Sequence, residues 1–148
     1  MTPPRILPPH YFLLCLLLII AIGLLEGGRI LPAPWPWLGL LPIAIGIWMA
    51  AQGSRQFARE GTSIIPFSES TALVTNGVFS FSRNPMYTGM TLALAGTALI
   101  LNGLLPWLPV LAFVAVIRGL FIPHEETLME KTFGQAYLDY RTRVRRWL

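Results

Sequence analysis

Four apolar stretches limit how this chain can fold more strongly than any other feature of its sequence. They cover about residues 8–25, 38–58, 86–105 and 107–122, and residues 11–25 contain no charged side chain. A helix needs about 20 apolar residues to cross the roughly 30 Å of hydrocarbon in a bilayer. The chain is 54% hydrophobic and only 12% charged, which is far from the composition of a soluble domain. We therefore predict an all-α integral membrane protein with about four transmembrane helices, folded as one domain over residues 1–148. A cleaved signal peptide is the alternative for the first stretch.

Small residues predict how these helices are arranged. Residues 102–106 form a short connection, which predicts an antiparallel hairpin of the third and fourth spans. Gly39, Gly46 and Gly53 are spaced seven positions apart in the second span, so they share one helix face. Such a face lets another helix approach closely, and it would permit a homodimer.

The distribution of basic residues predicts the orientation in the membrane. With four spans, both termini lie on one side, and the positive-inside rule places the more basic loops in the cytoplasm. We therefore predict cytoplasmic termini in a bacterial inner membrane, because the opposite loops hold only Arg29. The residues on the predicted cytoplasmic side are Arg5, Arg55, Arg59, Arg83, Lys131, Arg141, Arg143, Arg145 and Arg146.

Charge and metal-ligating residues exclude several classes of partner. A net charge of +4 could attract nucleic acid, but the basic residues are spread over loops and form no basic, aromatic-interleaved binding module. Membrane lipid headgroups are therefore the expected anionic partners, and no nucleic acid is expected. Cys15 is the only cysteine and lies in an apolar run, and neither His10 nor His124 has a cysteine nearby. We therefore expect neither a disulfide nor a metal site.

Residues 123–148 contain half of the charged side chains of the chain. Apolar residues recur there at close to the helical period, which predicts amphipathic helices. A glycine interrupts the run, so we predict a cytoplasmic C-terminal region of two short helices joined at Phe133–Gly134. Glu125 and Glu126 would lie in the first turn after Pro123, where carboxylates meet unpaired helix N–H groups. On this pattern alone, the segment could simply lie against lipid headgroups.

A second polar stretch, residues 83–89, reads Arg-Asn-Pro-Met-Tyr-Thr-Gly. Residues 125–146 combine an acidic pair, a Phe-Gly pair, two tyrosines three positions apart and a final arginine. Together these two motifs resemble the isoprenylcysteine carboxyl methyltransferase family, including its bacterial members and the related phospholipid N-methyltransferases. The resemblance covers most of the chain from the second apolar stretch onward. Asn84 is a departure from the family pattern, because many relatives have His at this position.

The resemblance implies methyl transfer from S-adenosylmethionine to a lipophilic small molecule or a prenylated acceptor inside the membrane. Carboxyl O-methylation of an isoprenylcysteine-like, isoprenoid or lipid acid is the first expectation, with Arg146 and Glu126 as the catalytic residues. Arg146 would orient an acceptor carboxylate, whereas an amine acceptor would need Glu125 or Glu126 as a base. The residues that the resemblance assigns to the cofactor are Arg83, Asn84, Pro85, Tyr87, Gly89, His124, Glu125, Glu126, Tyr137 and Tyr140.

Other functions are compatible with parts of this pattern. The residues leave open N-methylation of a phospholipid or another amine, an NADPH-dependent membrane reductase, and a non-enzymatic membrane scaffold. The sequence has no glycine-rich turn between a strand and a helix, which excludes a Rossmann-type methyltransferase. The methyltransferase interpretation requires the region around Tyr87 to lie close to Glu126 and Arg146, in one chamber at the inner leaflet.

Overall fold

The computed structural model describes residues 6–27, 29–61 and 71–148 of the chain. These residues form helices and turns without a strand, which confirms the predicted all-α fold. Predictions that fall on residues 1–5, 28 and 62–70, including the placement of Arg5, lie outside the described residues. The elements are α1 (Pro8–Glu26), a 3₁₀ turn (Trp35–Gly39), α2 (Leu40–Arg59), a second 3₁₀ turn (Gly77–Ser80), α3 (Pro85–Leu101), α4 (Trp107–Val116), a π-helical turn (Ile117–Phe121), α5 (Ile122–Phe133) and α6 (Gln135–Arg143).

Prolines and left-handed residues define the ends of the apolar helices. Pro8 and Pro85 begin α1 and α3. The N–H groups in the first turn of a helix have no partner within the helix, so proline loses no hydrogen bond there, and its fixed φ suits the helix. Asn102 ends α3 with φ 57°, a left-handed conformation that asparagine tolerates better than most residues. The third helix therefore ends at Leu101 rather than near residue 105 as predicted, and residues 102–106 form the hairpin connection.

The apolar helices run alternately between two ends of a bundle. At the hairpin end, Glu26 accepts hydrogen bonds from the backbone N–H groups of Leu104 and Leu105, both at 3.2 Å. The Asn102 amide donates to the Leu31 carbonyl at 2.7 Å at the same end. At the opposite end, which we call the motif end, Gly53 near the end of α2 lies against Met86 at the start of α3. The bundle therefore has the up-and-down order that the sequence predicts.

Three helical stretches are long and apolar enough to cross a membrane: Pro8–Glu26, Trp35–Arg59 and Trp107–Phe133. Helix α3 is apolar but has only 17 residues, a length of about 25 Å. The membrane protein class is thereby confirmed, while the count of four crossings stays a prediction. Many large side chains of α1 and α2 point outward, among them Leu17 and Trp48, as expected of helices that face lipid.

Helix α3 lies at the centre and packs on α2 through glycines. A Cβ added at Gly46 would collide with the Gly89 carbonyl oxygen, and one added at Gly39 would collide with the Gly96 carbonyl oxygen. The absence of side chains at these four positions lets the two backbones touch, which confirms the predicted close approach. The partner is α3 of the same chain, so a homodimer, which stays a prediction, would have to use another surface.

The fourth apolar helix does not stop before Pro123, which corrects one expectation. It continues through the π-helical turn into α5, so that Trp107–Phe133 is one helix of 27 residues. Proline lacks an N–H group and its ring crowds the carbonyl one turn earlier, and a π turn at that point accommodates both defects. Glu125 lies in the first turn of α5, as predicted. That turn continues the π-helical turn before it and has no side-chain cap, so it is not the free helix start that was predicted.

Candidate functional site

The turn between α5 and α6 brings the C-terminal residues to the motif end of the bundle. Gly134 has φ 52° and ψ −126°, a conformation that glycine adopts without the steric cost of a Cβ. Its N–H donates to the Glu130 carbonyl at 2.9 Å and closes α5. This confirms the two helices predicted on either side of the Phe133–Gly134 pair. Because the chain changes direction here, the residues after α6 return to the start of α3.

Residues 144–147, which we call the C-terminal strap, run alongside residues 82–84. Val144 leaves α6 in an extended conformation, with φ −120° and ψ 133°. The Arg83 N–H donates to the Arg145 carbonyl at 2.9 Å, and the Asn84 side-chain amide donates to the Arg146 carbonyl at 2.9 Å. The first and second motifs are therefore in direct contact, although Asn84 and Arg146 lie 62 positions apart in sequence.

Glu126 is the centre of the ionic contacts between the two motifs. Its Oε1 accepts from Arg146 Nε at 3.0 Å and its Oε2 from Arg146 Nη2 at 2.7 Å, a two-point contact. Arg83 Nη1 lies 3.0 Å from the same Oε1, and the side chains of Arg83 and Glu126 are only 10% and 11% exposed. A buried carboxylate is stable only with such charged, hydrogen-bonded partners. The hydrogen bond to Glu126 also raises the pKa of Arg146, so the guanidinium stays protonated.

Glu125 faces a different partner from its neighbour. The Tyr87 hydroxyl on α3 donates a short hydrogen bond of 2.5 Å to Glu125 Oε1. Tyr87 is buried within the main apolar core. The two adjacent carboxylates therefore connect α5 to two sites, Glu125 to α3 and Glu126 to the two arginines.

Tyr137 and Tyr140 differ in what their hydroxyl groups contact. The Tyr137 hydroxyl accepts from Arg83 Nη1 at 3.2 Å and so belongs to the ionic cluster. The Tyr140 hydroxyl donates to the Phe79 carbonyl at 2.6 Å, and the Phe79 ring packs on Phe57 of α2 with centroids 4.9 Å apart. Burial raises the pKa of both hydroxyls, and the Glu126 carboxylate raises that of Tyr137 further. Both phenols therefore stay protonated at neutral pH.

The structure brings only part of the predicted cofactor set together. One cluster contains Arg83, Asn84, Glu126, Tyr137 and Arg146. The pair of Tyr87 and Glu125 adjoins it through the neighbouring positions of Glu125 and Glu126. Gly89 lies at the crossing of α2 and α3 against Gly46, and Pro85 is fully buried at the start of α3. Tyr140 binds a backbone carbonyl, and His124 is half-buried beside Glu125. A cofactor role stays a prediction for these four residues and for those of the cluster alike.

Sequence reasoning missed Ser82 and the backbone of the C-terminal strap. Ser82 is completely buried, its Oγ accepts the Asn84 N–H at 3.1 Å, and it lies 3.3 Å from Thr88 Oγ1. It also donates to the Arg146 carbonyl at 3.4 Å. A serine directly before the arginine of the first motif was the only sequence signal for this role, and backbone carbonyls give none.

Comparison with known proteins shows the family of this chain. A model of the phospholipid methyltransferase family matches residues 35–136. The chain belongs to the phospholipid methyltransferase family. The resemblance inferred from the two motifs is thereby confirmed at the level of the family. The match to the phospholipid methyltransferase family includes the first motif and the acidic pair, and it ends before Tyr137, Tyr140 and Arg146.

Several curated relatives of this phospholipid methyltransferase family member carry a functional name, and two of them are plant proteins at least 31% identical to the chain. They are the protein-S-isoprenylcysteine O-methyltransferases A and B of Arabidopsis thaliana, which are 32% and 31% identical to this chain over 113 and 111 residues. Each match covers 72% of this chain and 55% of the plant protein, so the chain spans just over half the length of these relatives. An uncharacterized protein of Haemophilus influenzae is 43% identical over 63 residues, which are 43% of this chain and 100% of that protein. No solved structure matches the chain.

Proposed function

We propose that this chain is an S-adenosylmethionine-dependent methyltransferase whose acceptor is a lipophilic carboxylate, such as an isoprenylcysteine-like or other isoprenoid or lipid acid. The observation that carries the proposal is the convergence of the two motifs around Glu126 at one end of an apolar bundle. Exposed residues of α5 and α6 border this end, and a soluble cosubstrate can reach it there. A lipid can reach the same place from the apolar outer faces of the helices.

The side chains of the cluster fit the polar groups of S-adenosylmethionine. Glu125 and Glu126 are suited to accept hydrogen bonds from its ribose hydroxyls or its ammonium group. Arg83 Nε is buried and has no hydrogen-bond partner within the residues that the structure describes, so this N–H is free to donate to the carboxylate of the cofactor. When bound, the cofactor supplies an electrophilic methyl group on a sulfonium centre.

The residues of the chain would act mainly by alignment. Holding an acceptor oxygen in line with a reactive carbon removes most of the entropic cost of bringing the two together. Arg146 already binds one carboxylate, that of Glu126, through Nε and Nη2, and its side chain is 32% exposed. A guanidinium has further N–H donors beyond these two, and they can orient the carboxylate of the acceptor. Such an acceptor is ionised at neutral pH and needs no base.

A second candidate, N-methylation of a lipid amine, is favoured by one further contact. The family model that matches describes phospholipid methyltransferases, and an amine has to lose a proton on methylation. Glu125 is hydrogen-bonded to a tyrosine hydroxyl, whereas Glu126 is bound by two arginines. Of the two carboxylates, Glu125 is therefore the one that can accept this proton.

Labelling of membrane-embedded protein distinguishes these functions. The purified chain in lipid nanodiscs is incubated with methyl-labelled S-adenosylmethionine and either a prenylated N-acetylcysteine or an aminophospholipid. Label in the prenylated acid that mild alkali releases indicates a methyl ester, and alkali-stable label in the aminophospholipid indicates N-methylation. S-adenosylhomocysteine should raise the thermal midpoint, and NADPH should not. Stabilisation by NADPH would indicate the reductase instead, and stabilisation by neither ligand would indicate the scaffold.

A further inference from the structure

Asn84 contacts the main chain of Arg146 rather than an open space. Its Nδ2 donates to the Arg146 carbonyl oxygen at 2.9 Å, in a half-buried position. The Ser82 hydroxyl donates to the same oxygen at the longer distance of 3.4 Å. Because a carbonyl oxygen has two lone pairs, the two donors together satisfy it. The backbone of Arg146 is thereby fixed to the first motif.

The guanidinium of Arg146 is fixed at its other end by Glu126. An arginine side chain has several rotatable bonds and loses considerable entropy when it is held in one conformation. Here the carbonyl is bound by Asn84, and the guanidinium is bound by Glu126 at 2.7 and 3.0 Å. The last helical hydrogen bond in this region runs from the Val144 N–H to the Tyr140 carbonyl at 3.0 Å. Arg146 lies two residues beyond it, so both anchors must hold for the guanidinium to have one position.

We propose that Asn84 is a positioning residue, which sets the location of the Arg146 guanidinium through the Arg146 carbonyl and does not itself bind the cofactor. The proposal rests on the proposed role of Arg146 in orienting the acceptor carboxylate. A neutral N–H donor suits this place because its target is a neutral carbonyl. A carboxylate of the same shape has no N–H to donate and would repel that oxygen.

The test uses Asn84→Asp, which keeps the shape of the side chain and removes the donor. The expected result is a rise of about tenfold in KM for the prenylated acceptor, the effect of one lost hydrogen bond. The dissociation constant for S-adenosylhomocysteine should change by less than about twofold. In an Arg146→Ala background, Asn84→Asp should have almost no further effect, since two residues that act as one unit are not additive. Arg146→Lys replaces this background if the alanine variant fails to bind S-adenosylhomocysteine.

Asn102→Asp is the matched control, because Asn102 lies at the other end of α3 and donates its Nδ2–H to the Leu31 carbonyl at 2.7 Å. It loses the same kind of hydrogen bond, and it should leave KM for the acceptor unchanged. A tenfold loss of S-adenosylhomocysteine affinity in Asn84→Asp would show a cofactor ligand and overturn the proposal. If the Asn84 and Arg146 substitutions raised KM for the acceptor by factors that multiply in the double variant, that result would overturn the proposal as well.

Amide hydrogen exchange separates this proposal from the proposed function. The Arg83 amide, whose N–H donates to the Arg145 carbonyl of the strap at 2.9 Å, should exchange faster in Asn84→Asp than in the unaltered chain and in Asn102→Asp. If the unaltered chain methylates no acceptor, the proposed function fails, and the exchange rates alone then decide whether Asn84 holds the strap. Equal exchange in all three proteins would show that it does not.

Discussion

At the scale of single residues, Glu126 is the side chain on which the cluster depends most. Two guanidinium groups contact its carboxylate, and the side chains of Glu126 and Arg83 are largely buried. Removing one partner from a buried ionic contact leaves the others unpaired, which costs more than the contact itself contributes. The sequence predicted Glu126 as a functional residue but not that Arg146, predicted for the acceptor, would be its direct partner. Residue types show which chemistry is available, and only the fold shows which groups neutralise each other.

The first prediction follows from this shared carboxylate. Glu126→Gln places an NH₂ group against the arginines, so we expect S-adenosylhomocysteine binding to be lost and the free energy of unfolding to fall by about 3 kcal/mol. Glu130→Gln is the control, because Glu130 forms an exposed pair with Arg141 at 3.7 Å, and we expect it to cost less than about 1 kcal/mol. Calorimetric titration and thermal unfolding in detergent measure both effects. Full cofactor affinity in Glu126→Gln would remove this carboxylate from the binding site.

The second prediction concerns Tyr140 and pH. Burial raises the pKa of its hydroxyl in the folded chain above the unfolded value, which is about 10. The folded state thus holds this proton more tightly, so the resulting stability is complete below about pH 10 and is lost as the pH rises further. Tyr140→Phe should lower the thermal midpoint at neutral pH, since the Phe79 carbonyl loses its donor. It should also weaken the decline of the midpoint above pH 10 and leave S-adenosylhomocysteine affinity intact. Loss of that affinity would instead support the predicted cofactor contact.

At the scale of elements, the crossing of α2 and α3 positions the first motif. Tyr87 and Gly89 are two positions apart on α3, so the face that packs on α2 fixes the direction in which Tyr87 meets Glu125. The sequence predicted the close approach from the spacing of Gly39, Gly46 and Gly53, because glycine spacing is local information. It could not show that the partner was α3 rather than a second chain.

The third prediction tests this crossing. Gly46→Ala would place a Cβ against the Gly89 carbonyl oxygen, so we expect the helices to separate and the free energy of unfolding to fall by about 1–3 kcal/mol. Gly119→Ala is the control, because a Cβ at Gly119 meets nothing within 4 Å. Thermal unfolding in the same detergent compares the two variants. Equal midpoints would mean that α2 and α3 do not touch at this point.

The helix through Pro123 shows where element prediction from the sequence is weakest. A proline ordinarily indicates a helix start or a break, and both alternatives fit the local residues. The structure instead passes through a π-helical turn at Ile117–Phe121, so the apolar span and the polar segment form one continuous helix. Gly134, by contrast, ends α5 as predicted, because its positive φ depends on a local preference. A π-helical turn depends on tertiary packing, so residue preferences along the chain do not predict it.

At the scale of the whole molecule, the alternation of the helices gathers both motifs and most basic residues at one end of the bundle. Arg59, Arg83 and the C-terminal arginines lie at the motif end, whereas Arg29 follows α1 at the hairpin end. Convergence of the motifs could be predicted from the number and order of the apolar stretches, since an even number of spans returns the chain to the same side. The position of the strap could not be predicted from the sequence, because its contacts are made by backbone groups and by Ser82 and Asn84.

The last prediction is the orientation of these two ends. If the positive-inside rule holds, the motif end faces the cytoplasm, where a soluble cosubstrate is present. With the buried Cys15 replaced by alanine, cysteines at the exposed positions Thr142 and Ala33 report on the motif end and the hairpin end. In intact bacterial cells, a membrane-impermeant maleimide should label the Ala33→Cys variant and should label Thr142→Cys only after the membrane is permeabilised. Labelling of both from the same side would contradict a bundle whose ends lie on opposite sides of the membrane. The reverse pattern would place the motif end outside, away from any cytosolic methyl donor.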